Sequence, residues 1–258
     1  MVHSVRNSDQ SGGGEGQIFD TLSEGLKEEA AKVVLGHLYP FLGRIKEGFA
    51  RKKQRDIAYF LAELARRAED EGADFQNEFM EECLGEEGTS EVITQALKAA
   101  LEITDSRILA ALAHLAFHYQ SNSKPVDLFF RGLVRLLESI GTAEFNVIQT
   151  LLDAATKLIN AKPDNPMQLL RIWRKAEMGV TQVELYPGYM WGADVDFTPA
   201  LKNLLISTGL GDTPHPPLTT SEASNFGHEP DLDWSVGIVG ELARFFLDPP
   251  RGSLSASK

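Results

Sequence analysis

From residue 17 to about residue 160, apolar side chains return every three or four positions, the spacing that lines one face of an α-helix. Val34, Leu38, Phe41, Ile45 and Phe49 form the first stripe. Pro40 predicts a kink or a break within it, because proline lacks the backbone donor and crowds the preceding turn. Gly36, Pro40 and Gly43 fall on another face, where small residues let a neighbouring helix come close. Ile57, Phe60, Leu61, Leu64 and Ala68 make a second stripe, closed by Gly72. Phe75, Phe79 and Cys83 mark a third helix, and Val92, Ile93, Ala96, Leu97 and Leu101 a fourth. Thr104 or Asp105 is placed to cap the next, which carries Ile108, Leu112, Leu115 and Tyr119 on one side. Ser123, Lys124 and Pro125 predict another start, with Pro125 in the first turn, where its missing donor costs nothing. Its stripe is Phe129, Leu133, Leu136 and Ile140; Gly141 and Thr142 then close it and open a helix that turns Phe145, Ile148, Leu152 and Ala155 inward. Short connections between these stripes suit the antiparallel neighbours of a bundle.

After Lys162 the texture changes. Pro163 and Pro166 bracket a turn, and Pro166 predicts a helix holding Leu169, Leu170, Trp173 and Ala176. Residues 180–191 alternate and place Tyr186, Tyr189 and Trp191 around Pro187 and Gly188, which suits a strand or an aromatic turn. Thr198 followed by Pro199 predicts a helix through Leu201, Leu204 and Leu205 that ends at Gly209. Residues 211–230 are turn-rich, and residues 236–247 read as a last amphipathic helix or strand-helix before Pro249 and Pro250. The expected fold is therefore mainly α. A multi-helix bundle over residues 17–160 precedes a smaller α+β domain over residues 161–250, with disordered tails at 1–16 and 251–258.

Composition narrows the function. An apolar fraction of 43% and a charged fraction of 24% are those of a globular protein. Nowhere does an apolar run approach the roughly 18 residues that cross a bilayer, and the polar, glycine-rich start lacks the apolar core of a signal peptide. Cys83 is the single cysteine, so neither an internal disulfide nor a cysteine-rich zinc site can form. These features predict a cytoplasmic protein. A net charge of −12, spread over both halves, disfavours a surface that tracks nucleic acid.

The segment Asn203, Leu204, Leu205, Ile206, Ser207, Thr208, Gly209 and Leu210 resembles the leucine-rich, Gly-Leu close of a winged helix-turn-helix recognition helix. In that fold a wing and a returning strand would occupy residues 211–235, followed by a further helix. The order of elements also resembles that of bacterial proteins of the abortive-infection alpha type, with an interrupted first helix, a bundle and a winged-helix-like tail. That resemblance implies a prokaryotic source and a role in phage defence; it transfers no activity and no functional residues. As a reader of DNA the tail is poorly charged. Lys202 is the only cation in residues 198–209, and the wing would hold Glu222, Glu229, Asp231 and Asp233.

Five features carry candidate chemistry. His114 and His118 stand four apart and reach one metal ion if a third ligand, such as His37, joins them; otherwise they are half-exposed histidines at the core edge. Arg44, Lys46, Arg51, Lys52, Lys53 and Arg55 form the chain's basic concentration, which is either a solvated face or a contact for phosphate, nucleic acid or an acidic partner. The pairs Asp194/Asp196 and Asp231/Asp233 match Mg²⁺ or acid-base chemistry, but turn chemistry and helix capping explain them more simply. Cys83 follows Glu81 and Glu82, which raise a thiol's pKa and make it a core filler rather than a nucleophile. Tyr186, Tyr189 and Trp191 either plug a gap or present a partner-binding surface.

No phosphate-cradling loop, dinucleotide fingerprint or nucleophile elbow is present, and no cofactor is implied. The expected function is therefore non-catalytic: an interaction or regulatory protein acting through protein–protein contacts, with the partner and the oligomeric state left open. The alternatives are a nucleic-acid-binding regulator using the tail and residues 44–55, a metal-dependent hydrolase around His114 and His118, and association with a membrane surface through the kinked first helix.

Overall fold

The computed structural model describes residues 51–84, 90–164, 169–175, 180–186, 189–214 and 230–247. Both expected tails and the stripe around Pro40 lie outside the described residues. The chain divides into two compact units, with the boundary between Ser123 and Lys124. The architecture is mainly helical with a small antiparallel sheet in the C-terminal unit, as the residue pattern predicts.

In the N-terminal unit, α1 (Arg51–Glu69) packs against α2 (Ala73–Leu84), α3 (Glu91–Ala100) and α4 (Ser106–Ser121). The expected stripe of Ile57, Phe60, Leu61, Leu64 and Ala68 is fully buried, and Ile108, Leu112 and Leu115 of α4 are buried as well. Gly72 turns the chain between α1 and α2 at φ +121°, a conformation that a side chain would strain. Asp105 caps α4, its carboxylate accepting from Arg107 N at 2.8 Å. Ser90 caps α3 by accepting from Ile93 N, and its hydroxyl donates to Gln120 Oε1 at 2.6 Å. Gln120 in turn donates to Glu82 at 2.6 Å, so three helix ends share one polar chain. Burial, aided by Glu63, pushes the Tyr59 hydroxyl up to about 12. Cys83 is buried, and burial followed by Glu82 raises its thiol well above the ordinary range, in keeping with a core filler.

The C-terminal unit begins with α5 (Leu128–Ser139) and α6 (Thr142–Ala161). Residues 124–160 therefore belong to the same compact unit as the sheet, where α6 lies against its strands and against the last helix. The α5 start falls later than Pro125 predicts. Asp127 is the cap, accepting from Phe130 N at 2.8 Å, and Pro125 lies outside the helix. The strands β1 (Leu169–Lys175), β2 (Val180–Tyr186), β3 (Tyr189–Ala193) and β4 (Leu232–Ser235) form one antiparallel sheet in the order β3-β2-β1-β4. Residues 169–175 are thus strand, not the helix expected after Pro166. Pairing on both sides, with β2 and with β4, overrides a leucine-rich local preference.

Between β3 and β4 runs α7 (Pro199–Ser207), and α8 (Val236–Phe246) follows β4 directly. Thr198 caps α7 with Pro199 in the first turn, as expected. Gly209 at φ +73° ends it: Gly209 N donates to Ile206 O at 3.0 Å and Leu210 N to Leu205 O at 2.9 Å. The order differs from the winged helix that residues 203–210 suggest. The hairpins β1–β2–β3 precede α7, and the described residues after it supply the single strand β4. In α8, Phe246 stacks on Phe145 of α6 at 5.0 Å between ring centroids, and Gln149 donates to Phe246 O at 2.7 Å.

Candidate functional site

Successive residues of a strand point to opposite sides, so the register assigns every side chain of the sheet to one of two faces. One face gathers Leu170 and Ile172 of β1, Val183 and Leu185 of β2, Leu232 and Trp234 of β4, and Trp191 and Ala193 of β3. It is apolar and mostly buried, and α6 lies along its β2–β3 side, where the Lys157 ammonium sits 5.9 Å from the Trp191 ring. Trp234 satisfies its indole by donating to Leu210 O at 2.8 Å.

The opposite face carries charge. Arg171 of β1 stands directly across from Glu184 of β2 on one side and from Asp233 of β4 on the other, and Met190 of β3 continues the row beyond Glu184. Arg171, Glu184 and Asp233 are buried. Arg171 Nε lies 3.4 Å from Asp233 Oδ1, and the guanidinium sits 4.2 Å above the Tyr186 ring. Trp173 donates to Glu184 Oε2 at 2.8 Å. Such a row ties register to electrostatics. A slip of one residue would bring the Arg171 position against leucine and leave buried charges without compensation. Through Arg171 the row joins β1 to both of its neighbours.

Asp231 makes a second clasp. Its carboxylate accepts from Arg174 N at 2.9 Å and lies 3.7 Å from Lys202 Nζ, which ties α7 to the sheet. Asp231 and Asp233 are therefore buried members of ion pairs, not turn or capping residues. Their cations come from β1 and α7, far away in the chain. Asp194 and Asp196 are exposed in the segment after β3, which Thr181 anchors by donating to Val195 O at 2.7 Å.

The remaining candidates separate. Tyr186 is buried on the charged face, whereas Trp191 is half-exposed on the other, so the aromatic residues do not form one surface. Tyr189 occupies its register position opposite Leu185. Trp191 and the adjacent Met190 are each 50% exposed, on consecutive positions of the outermost strand. His114 and His118 are half-buried, with His118 Nδ1 3.4 Å from the Asn122 amide. Among the described residues no group of three or more potential ligands gathers, and His37 lies outside them. Of the basic segment, Arg44 and Lys46 lie outside the described residues, and Arg51, Lys52 and Lys53 begin α1. Arg55 is exposed and stands 3.8 Å from Asp56.

Arg171, Glu184 and Met190 do not stand out in a linear reading. The available signal is the alternation of Leu170 and Ile172 with Arg171 and Trp173, which reads as strand once the leucines are not forced onto a helix. No helix among the described residues is long and apolar enough to cross a membrane. Comparison of the chain with protein-family models, with curated proteins and with solved structures finds no match.

Proposed function

We propose that this chain acts by binding another protein, in an interaction or regulatory role, and that the outer edge of β3 is its contact surface. One observation carries this: among the described residues β3 ends the sheet, and it has Met190 and Trp191 half-exposed on opposite faces. A strand added there would gain backbone hydrogen bonds from the edge and an apolar side chain to grip on each side. The buried row and the Asp231 clasp support it by holding β4, β1 and β2, the strands on which β3 is laid, in register. Phage defence in a prokaryote is the setting that the abortive-infection resemblance implies, and we propose it as the context of that binding.

The test is affinity purification from native cells of the wild type and of Trp191→Lys, each with and without nuclease. A stoichiometric protein that survives nuclease and disappears with Trp191→Lys is the expected result. A partner retained by Trp191→Lys would remove the β3 edge. Nucleic acid recovered in its place, released by salt and by neutralising Arg51, Lys52, Lys53 and Arg55, would favour the nucleic-acid-binding regulator.

A further inference from the structure

We propose, building on the binding edge inferred above, that the strand β3 accepts is the β3 of a second copy, paired antiparallel about a two-fold axis through Trp191. The first support is the shape of the strand itself. Tyr189, Met190, Trp191, Gly192 and Ala193 run large, large, large, small, small. Pairing about Trp191 sets Met190 opposite the second copy's Gly192 and Tyr189 opposite its Ala193, so each of those large residues faces a small one. Directly paired residues share a face, and among the described residues nothing lies within 4 Å of the place where a Gly192 Cβ would stand. That open space adjoins the half-exposed Met190 and gives the incoming methionine somewhere to lie. The two Trp191 side chains meet at the axis on the α6 side of the sheet, where each is already flanked by Lys157.

Charge agrees with the same register. Residues 189–193 contain no charged residue and no proline, the usual devices that keep an outer strand from pairing. The exposed acids Asp194 and Asp196 follow the strand, so in this register each falls past the end of the other copy's β3 and not against its counterpart. A parallel arrangement would instead bring Asp194 alongside Asp194. A contact confined to one five-residue strand predicts a reversible dimer rather than an obligate one.

The experiment is sedimentation equilibrium of the full chain over a concentration series, with variants that read the register. The wild type is expected to approach twice the 28.4 kDa chain mass as concentration rises. Gly192→Val places its side chain in open space within one copy but fills the recess for Met190, and should raise the dissociation constant by about tenfold or more. Under mild oxidation Trp191→Cys should form a disulfide with itself, since paired positions lie about 4.5–5.5 Å apart. Tyr189→Cys should not, because its two copies are displaced along the strands by about 14 Å. The native Cys83 is buried and gives a low background. A dimer that ignores Gly192→Val, or that fails to cross-link through Trp191→Cys, would place the contact elsewhere and overturn self-pairing. A chain that stays monomeric yet loses a cellular partner with Trp191→Lys would overturn self-pairing alone. A monomer whose partners survive that substitution would overturn the binding edge as well.

Discussion

Alanine in place of glycine normally stabilises a helix, by about 1 kcal/mol in its interior. At Gly132 in α5 the opposite is expected. A Cβ there would stand inside van der Waals contact of the Thr208 carbonyl oxygen and 3.7 Å from Leu210 Cδ2. The oxygen cannot swing aside cheaply. Thr208 ends α7 with its N–H on Leu204 O at 3.0 Å and its hydroxyl on the same carbonyl at 2.8 Å, and the next residue is Gly209 in its left-handed turn. Relief therefore requires α5 and the end of α7 to separate, and overpacking of this kind costs about 1–3 kcal/mol. After the propensity gain is set against it, Gly132→Ala should lose up to about 2 kcal/mol, or a few degrees in Tm at about 2–4 °C per kcal/mol. Gly240→Ala in α8 is the control. Among the described residues nothing lies within 4 Å of its Cβ position, so it should gain about 0.5–1 kcal/mol. Urea unfolding followed by tryptophan fluorescence reads both, because the chain's three tryptophans, Trp173, Trp191 and Trp234, all belong to the C-terminal unit. Gly132→Ala as stable as Gly240→Ala would refute the close approach of α5 to α7.

Three further outcomes follow from the packing. Asp233→Ala should cost about 3 kcal/mol or more by stranding the buried Arg171 charge, while Arg171→Met with Asp233→Leu should recover much of that loss; equal losses in the single and double variants would deny the pair. Tyr59 keeps its proton in the folded chain up to about pH 12 but ionises from about 10 when unfolded, so its contribution is complete below pH 10 and lost as pH rises to 12. Tyr59→Phe should make alkaline unfolding shallower across that window, measured by chemical denaturation at stepped pH. Asp127→Ala removes the α5 cap and should lower stability by about 1 kcal/mol; an unchanged midpoint would show that water replaces the carboxylate.

Helices were legible wherever a stripe of apolar residues ended in its own punctuation. The Ile57 to Ala68 stripe ends at Gly72, Asp105 caps α4, and Thr198 with Pro199 opens α7 that Gly209 closes; all of these act within one turn of the chain. Pro125 misleads because Asp127, two residues on, offers the better cap. Strand β1 misleads for a deeper reason. Leu169, Leu170 and Trp173 fit a helix locally, and what makes them strand is a ladder to residues that arrive later. Asp231 and Asp233 look like solvated turn acids for the same reason, since the cations that claim them, Arg171 and Arg174, lie far upstream. The aromatic cluster was visible as composition but not as geometry. Only the strand period divides Tyr186 from Trp191, and only the sheet order reveals that Met190 and Trp191 sit on an outer strand.

The position of β4 bears on how the protein is made. β1 occupies the middle of the sheet, yet its second neighbour is the last strand described, and Arg174 waits for Asp231 across 57 residues. Gln149 of α6 waits for Phe246 across 97. As the chain leaves the ribosome, β1, β2 and β3 can pair at once by local contacts, but one flank of β1 stays bare until Leu232 and Trp234 emerge. During that interval β1, an inner strand of the finished sheet, is itself an open edge, with Leu170 and Ile172 lacking the β4 residues that pair beside them. Synthesis stalled before β4 would therefore leave β1 paired on one side only, an apolar edge suited to chaperone capture or aggregation.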